Sequence, residues 1–206
     1  MDGTIIDSRE AYVLTLVDVS RELGFPRTRN EIEEKMVPSI AGTARRVLPA
    51  DEDLVSRAEK MIRRLVWKRA PSISLCLDVE EALDGLKRKY PLGLLTASDR
   101  TLADAALGRL GVLHFFDEVV TIDTDLPTKE ERYGHLLCLL GVKAHQAVMV
   151  GDTPSDVEVA KKAGSRAIVI YNRCSWQWGR KKELLDSGPD AILSSLKDLL
   201  TWEPCR

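Results

Sequence analysis

The chain has 206 residues, 44% hydrophobic and 30% charged, with a formal net charge of −2 and a pI near 6.0. That size holds one ordinary domain plus a small insertion, and the composition is that of a globular protein. Mild acidity gives no electrostatic basis for binding nucleic acid or an anionic membrane, and apolar runs such as Ala147–Val150 and Ala167–Ile170 are far too short to span a bilayer. No basic-then-apolar start resembles a signal peptide. Cys76, Cys138, Cys174 and Cys205 are scattered without a C-x-x-C pair, which predicts reduced thiols and a cytoplasmic protein.

The chain opens Met1-Asp2-Gly3-Thr4-Ile5-Ile6-Asp7-Ser8. By itself Asp2-Gly3 reads as a turn, because this dipeptide favours turns through its own backbone chemistry. From Ser8 to Ala70 one helical pattern follows another. Ala11, Leu14, Val17 and Leu23 recur at helical spacing and stop at Gly24-Phe25-Pro26. Ile32, Met36 and Ile40, then Leu54, Ala58, Met61, Ile62 and Leu65, keep that period, punctuated by Pro26, Pro38, Pro49 and Pro71.

After Pro71 short apolar runs alternate with amphipathic helices. Strands are expected at Leu92–Leu95, Glu118–Ile122, Ala147–Val150 and Ala167–Ile170. Helices are expected at Val79–Lys89, Thr101–Leu110, Lys129–Leu140, Ser155–Ala163 and Trp178–Asp186. Such alternation predicts an α/β fold whose parallel sheet is covered on both faces. The domains follow: residues 1–8 with 72–206 as the α/β core, and 9–71 as an inserted helical cap. Trp176, Trp178 and Trp202 are expected in the core rather than on a self-association face. Thr201–Arg206 is expected to be frayed.

Four local signals carry chemistry. Beside Asp2, Thr96 ends the run Leu92–Leu95, at the strand end where α/β proteins bind ligands. Its hydroxyl either donates to a phosphate oxygen or caps the next helix, a job for which Ser98 or Asp99 is better suited. Lys129 follows Thr128 in a capping box closed by Glu131, so it takes the first helical position, where the helix dipole mildly disfavours a cation. It is the sole lysine between Lys89 and Lys143; the alternative is a solvated surface lysine. Gly151-Asp152-Thr153-Pro154-Ser155-Asp156 follows a strand, and its two carboxylates suit a hard cation such as Mg²⁺. Ser155 as a helix N-cap and Asp156 as a first-turn acid would explain Asp156 but give Asp152 no reason.

The order Asp2, Thr96, Lys129, Asp152/Asp156, with a helical insertion between the first two, resembles the four motifs of the haloacid dehalogenase-like (HAD) phosphatases. Phe115-Phe116-Asp117, Leu140-Gly141-Val142 and Ala160–Gly164 resemble the phosphoglycolate phosphatase-like branch, and the resemblance covers nearly the whole chain. It implies a HAD-like Rossmannoid sheet with a helical cap and a Mg²⁺-dependent hydrolysis of small phosphate monoesters through an aspartyl-phosphate. It further implies that Asp2 is the general acid/base and a metal ligand through its backbone carbonyl. Thr96 and Ala97 would bind the phosphoryl group, and Lys129 would offset its charge. Asp152 would ligate Mg²⁺, with Asp156 ligating it or orienting its water. Gly42, Arg45 and Arg46 would be substrate contacts if they are not simply solvated. The partner implied is a small phosphorylated metabolite, the assembly a monomer or homodimer.

In that family the nucleophile is the Asp two residues before the general acid, here one position ahead of Met1. A short apolar strand ending in that Asp is expected upstream, and residues 1–206 alone are expected to be inactive. A catalytically dead relative that binds a ligand or partner, a protein with a purely structural or regulatory role, and a phosphomutase with the same core residues are the alternatives.

Overall fold

The computed structural model describes residues 1–37 and 39–203, Trp67 by its backbone alone. The expectations for Pro38, for Cys205 and for the end of the 201–206 tail lie outside the described residues. In chain order the elements are β1 (Ile6–Asp7), α1 (Arg9–Glu22), α2 (Arg29–Lys35), α3 (Ile40–Val47), α4 (Glu52–Val66), β2 (Ser74–Leu75) and α5 (Val79–Lys87). Then come β3 (Gly93–Leu95), α6 (Arg100–Arg109), β4 (Glu118–Val120), α7 (Lys129–Leu139), β5 (Val148–Gly151), α8 (Pro154–Ala163), β6 (Arg166–Ile170), α9 (Lys181–Asp186) and β7 (Ala191–Leu193). None of the described helices is long and apolar enough to cross a membrane.

Two compact units divide the chain: Asp7–Ser74, and Met1–Ile6 with Leu75–Arg206. In the first, helices pack through apolar stripes at helical spacing. Ala11, Tyr12, Val13, Leu16 and Val19 of α1 are buried, and so are Val55, Ala58, Ile62 and Val66 of α4. Within this unit α1 packs on α2 and α4, and α3 on α4. Thr28 starts α2 with a capping box: its side chain accepts from the Glu31 N–H while Glu31 accepts from the Thr28 N–H.

The second unit is an α/β layer whose strands run parallel: β3 beside β4, and β5 beside β6 beside β7. Its core gathers Met149, Val157, Ala160, Ala167, Val169 and Leu184, with Leu95 of β3 packed against it. Strands β3 and β5 each pair along one edge only among the described residues.

Most expected elements are present with trimmed ends. Strand pairing stops at Val120, so Ile122 lies beyond β4 and is exposed. The expected helix Trp178–Asp186 begins only at Lys181, because 172–180 form a succession of turns. β7 went unforeseen: Ala191–Leu193 is too short to show a period. Of the tryptophans expected in the core, Trp176 is buried but Trp178 is 44% exposed, its ring set against Tyr171.

Candidate active site

Thr96, Lys129, Asp152 and Asp156 fall in the α/β unit, at the carboxyl ends of strands or the starts of the helices that follow, and Asp2 lies in the same unit in the turn before β1. This is where an open parallel sheet forms its ligand crevice. The loop from β5 to α8 holds the two central carboxylates. Thr153 caps α8 and Pro154 takes its first position, so the cap is Thr153 rather than Ser155. Asp156 sits three residues on and closes the capping box.

Asp156 is fully engaged. Its Oδ2 accepts from the Thr153 N–H at 2.9 Å, the Thr153 hydroxyl at 2.6 Å and the Asp152 N–H at 3.2 Å. Its Oδ1 accepts from Lys129 Nζ at 2.8 Å. Gly151 allows this closeness, since a Cβ there would stand 2.2 Å from Asp156 Cγ. Burial opposes ionisation of Asp156, but the Lys129 ammonium and its donated hydrogen bond outweigh it, aided by Thr153, and hold the carboxyl below its ordinary range.

Asp152 is held differently. It is 4% exposed and no Lys or Arg side chain pairs with it among the described residues, although the Met1 ammonium is near enough to lower its pKa somewhat. Oδ2 accepts the Trp176 N–H at 2.7 Å, and Oδ1 meets only the Thr4 hydroxyl at 3.5 Å. Burial, and then the charge of Asp156, push its pKa up to about 7. A buried carboxylate with an under-used oxygen and no paired basic side chain is a fitting seat for a hard divalent cation. Among the described residues no three His, Cys, Asp or Glu side chains form a ready-made metal cluster. Any ion would therefore draw on few carboxylates, as Mg²⁺ does when waters and phosphate oxygens complete its shell.

The opening loop reaches the same place. The Met1 carbonyl accepts from the N–H groups of Thr4, Ile5 and Ile6, so the first residues do form a tight turn. Gly3 has φ +75°, and a Cβ on it would lie 2.2 Å from Asp152 Oδ2. Only glycine permits that combination of backbone and closeness. Asp2 is close enough for its charge to bear on Asp152.

Thr96 is 5% exposed just past β3, and its hydroxyl oxygen accepts from the Ser98 N–H at 3.1 Å. The cap of α6 is Asp99, which accepts from the Leu102 N–H at 2.9 Å, so Thr96 is not needed for capping. Ala97 is exposed in the bend that follows. Lys129 occupies the first position of α7 behind a complete Thr128–Glu131 capping box. It is not a free surface lysine: it is tied to Asp156 and lies 3.4 Å from Ser155 Oγ. In the helical unit Arg45 and Arg46 are exposed and Arg45 pairs with Glu52. Gly42 packs close to Val37: a Cβ there would stand 3.0 Å from the Val37 side chain.

No residue pattern marks the turn at 172–176, whose Trp176 N–H holds Asp152. The rule that ligands gather at strand carboxyl ends would have pointed to it, because it follows β6.

A parallel α/β unit with one buried and one half-buried carboxylate, a tethered lysine and a glycine turn is the build of a phosphate-handling hydrolase. The family model described as haloacid dehalogenase-like hydrolase matches residues 1–170, and the chain belongs to that family. Similar relatives include a phosphoglycolate phosphatase of Nitrosococcus oceani, 26% identical over 211 residues that span 97% of this chain and 92% of the relative. A pyrophosphatase PpaX of Bacillus pumilus is 28% identical, with 97% of this chain and 92% of the relative covered. Among solved structures, a haloacid dehalogenase-like family protein from Streptococcus pneumoniae superimposes with a TM-score of 0.86 at 25% identity, covering 98% of this chain and 94% of that one.

Proposed function

We propose that the chain is a Mg²⁺-dependent phosphatase of small phosphate monoesters that works through an aspartyl-phosphate. The observation that carries this reading is the contrast within one loop: Asp156 is paired with Lys129 at 2.8 Å, and Asp152 is buried four residues away with no Lys or Arg side chain paired to it among the described residues. Relatives named phosphoglycolate phosphatase and pyrophosphatase support phosphate esters or anhydrides as the substrate class.

In this reading Asp152 holds Mg²⁺ together with the backbone carbonyl of Asp2. The bound cation supplies charge neutralisation at the phosphoryl oxygens. Asp156 serves by fixing Lys129, since both its oxygens already have protein donors. Lys129, at the start of α7, places its ammonium where charge builds on the transferring phosphoryl group. The Thr96 hydroxyl accepts from Ser98 and keeps its own proton for a phosphoryl oxygen, with the Ala97 amide beside it. Asp2 protonates the leaving oxygen and then deprotonates the hydrolytic water.

An aspartyl-phosphate needs an aspartate nucleophile, in this reading at the end of a strand between β3 and β5. Among the described residues both strands have an unpaired edge, and Leu95 packs on the core around β5, which supports that placement. The helical unit is proposed to act as the substrate-selecting cap.

The test is hydrolysis of p-nitrophenyl phosphate with Mg²⁺, by residues 1–206 and by a form extended with the residues encoded upstream. The extended form is expected to turn over and to lose about 10²–10³ in kcat with Asp2→Asn or Lys129→Ala. Equal turnover by residues 1–206 would overturn the placement of the nucleophile. A stop codon immediately before Met1 would favour a binding protein without turnover. A phosphomutase would share these residues, as the resemblance to a putative beta-phosphoglucomutase from Thermotoga maritima illustrates (25% identity, TM-score 0.71). Net release of inorganic phosphate separates the two.

A further inference from the structure

We propose that the turn Asn172–Trp176, after β6, is the positioning element for Asp152: it commits one carboxylate oxygen to neutral protein donors and leaves the other for the cation. The inference rests on reading Asp152 as a Mg²⁺ ligand.

Asp152 Oδ2 takes the Trp176 N–H at 2.7 Å, a short bond fitting a charged acceptor. Ser175 adds its hydroxyl, 3.5 Å from Oδ2 and 3.4 Å from the Asp152 carbonyl oxygen. Ser175 is fully buried and Trp176 nearly so, so water does not compete for either contact. The turn is itself braced. Asn172 Oδ1 accepts from the Cys174 N–H at 2.9 Å, the Asn172 carbonyl accepts from the Ser175 N–H at 3.0 Å, and Asn172 Nδ2 donates to the Ser194 carbonyl at 2.9 Å. Gly3 closes the grip: a Cβ there would fall 2.2 Å from Asp152 Oδ2 and 2.9 Å from Trp176 Cδ1.

The two carboxylates of the loop are thus held by different chemistry. Asp156 is fixed by a lysine, which cancels its charge. Asp152 is fixed by an amide and a hydroxyl, which orient it and leave its negative charge available. An ionised carboxylate offers about four acceptor positions, and Oδ1 here has one contact, at the limit of hydrogen bonding. Neutral outer partners that orient a ligating carboxylate are what a metal site requires, and losing them typically costs about 10–100-fold in metal affinity. Ser175 and Trp176 touch no reacting atom in this reading; they are positioning residues.

The test is calorimetric titration of Mg²⁺ into the 206-residue chain. Trp176→Pro removes the donated N–H and is expected to weaken Mg²⁺ binding by about 10–100-fold. Ser175→Ala, which deletes a long hydrogen bond, is expected to weaken it by about 2–5-fold. Trp178→Phe, in the same segment but exposed, is expected to bind as the parent does. Circular dichroism checks that each variant is folded; if Trp176→Pro is not, Ser175→Ala decides. Parent-like affinity in the folded variants, with binding abolished by Asp152→Asn, overturns the inference and leaves the metal reading standing. Absence of Mg²⁺ binding by the parent, or parent-like binding by Asp152→Asn, overturns both.

Discussion

The helical unit and the end of β5 in the α/β unit handle charge in opposite ways. In the helical unit ion pairs lie on the surface: Arg29 with Glu10 and Glu33, Arg45 with Glu52, Arg63 with Glu59, and Arg69 with Asp18. Each partner keeps water, so such pairs add little and can change without harm to the fold. In the α/β unit two carboxylates are drawn out of water at the end of β5. Burial there is costly unless something offsets the charge. Exposed pairs decorate a helix face, whereas a buried carboxylate that the fold does not need marks chemistry.

The largest expected effect tests the offset at Asp156. Lys129→Ala leaves that carboxylate facing only neutral donors. With Lys129 30% and Asp156 17% exposed, it should destabilise the protein by about 2 kcal/mol in urea unfolding, between the cost of losing an exposed pair and that of breaking a buried one. A loss below about 1 kcal/mol, the scale of an exposed pair, would erase the contrast between the units. Asp152→Asn should act in the opposite direction. Asn keeps an acceptor for the Trp176 N–H but removes a buried charge, so the metal-free protein should gain about 1 kcal/mol, while any Mg²⁺-dependent stabilisation disappears. Destabilisation by this change would show that the charge serves the fold.

The sequence revealed the layout of the site better than its wiring. Alternating apolar runs and amphipathic helices exposed the α/β plan, because each strand buried on both faces needs an apolar run. The capping box at Thr128–Glu131 was legible since it is a local pattern, and it put Lys129 at the start of α7. That Lys129 binds Asp156 was not legible, because the two lie 27 positions apart and meet only through packing. Ser155, offered by residue type as an alternative helix cap, is not the cap: Pro154 suits the first helical position and Thr153 holds the role. The contribution of Trp176 could not be read at all: it is a backbone N–H, which every residue but proline has, and its direction depends on the turn after β6.

A smaller effect concerns an exposed charge inside the α/β unit. Asp117 pairs with Lys87 and accepts the Leu92 N–H at 2.8 Å at the entrance to β3. The Lys87 ammonium, and then that amide, hold its carboxyl below the usual range. A depressed pKa means the folded state releases its proton more readily than the unfolded chain does. Its contribution is therefore present above about pH 4, the unfolded value, and is lost as pH falls through the folded one. Asp117→Asn should flatten the fall of Tm between about pH 4 and pH 2. An unchanged slope would show that Asp117 contributes no linkage.

The smallest effect is expected where the helical unit shows its best-placed pair. Arg63 and Glu59 stand one helical turn apart on α4 at 2.8 Å, each about a third exposed. Arg63→Ala exchanges that pair for a residue of higher helix propensity, so the loss of about 0.3–0.5 kcal/mol from an i,i+4 pair is partly returned by the backbone. Raising salt should shrink the difference further, since exposed pairs are screened. The same salt increase should shrink the Lys129→Ala penalty less, because Asp156 is 17% exposed against 31% for Glu59. If salt reduced both alike, the lysine at the β5 end would be an ordinary surface cation, and its claim to a phosphoryl group would lose its physical footing.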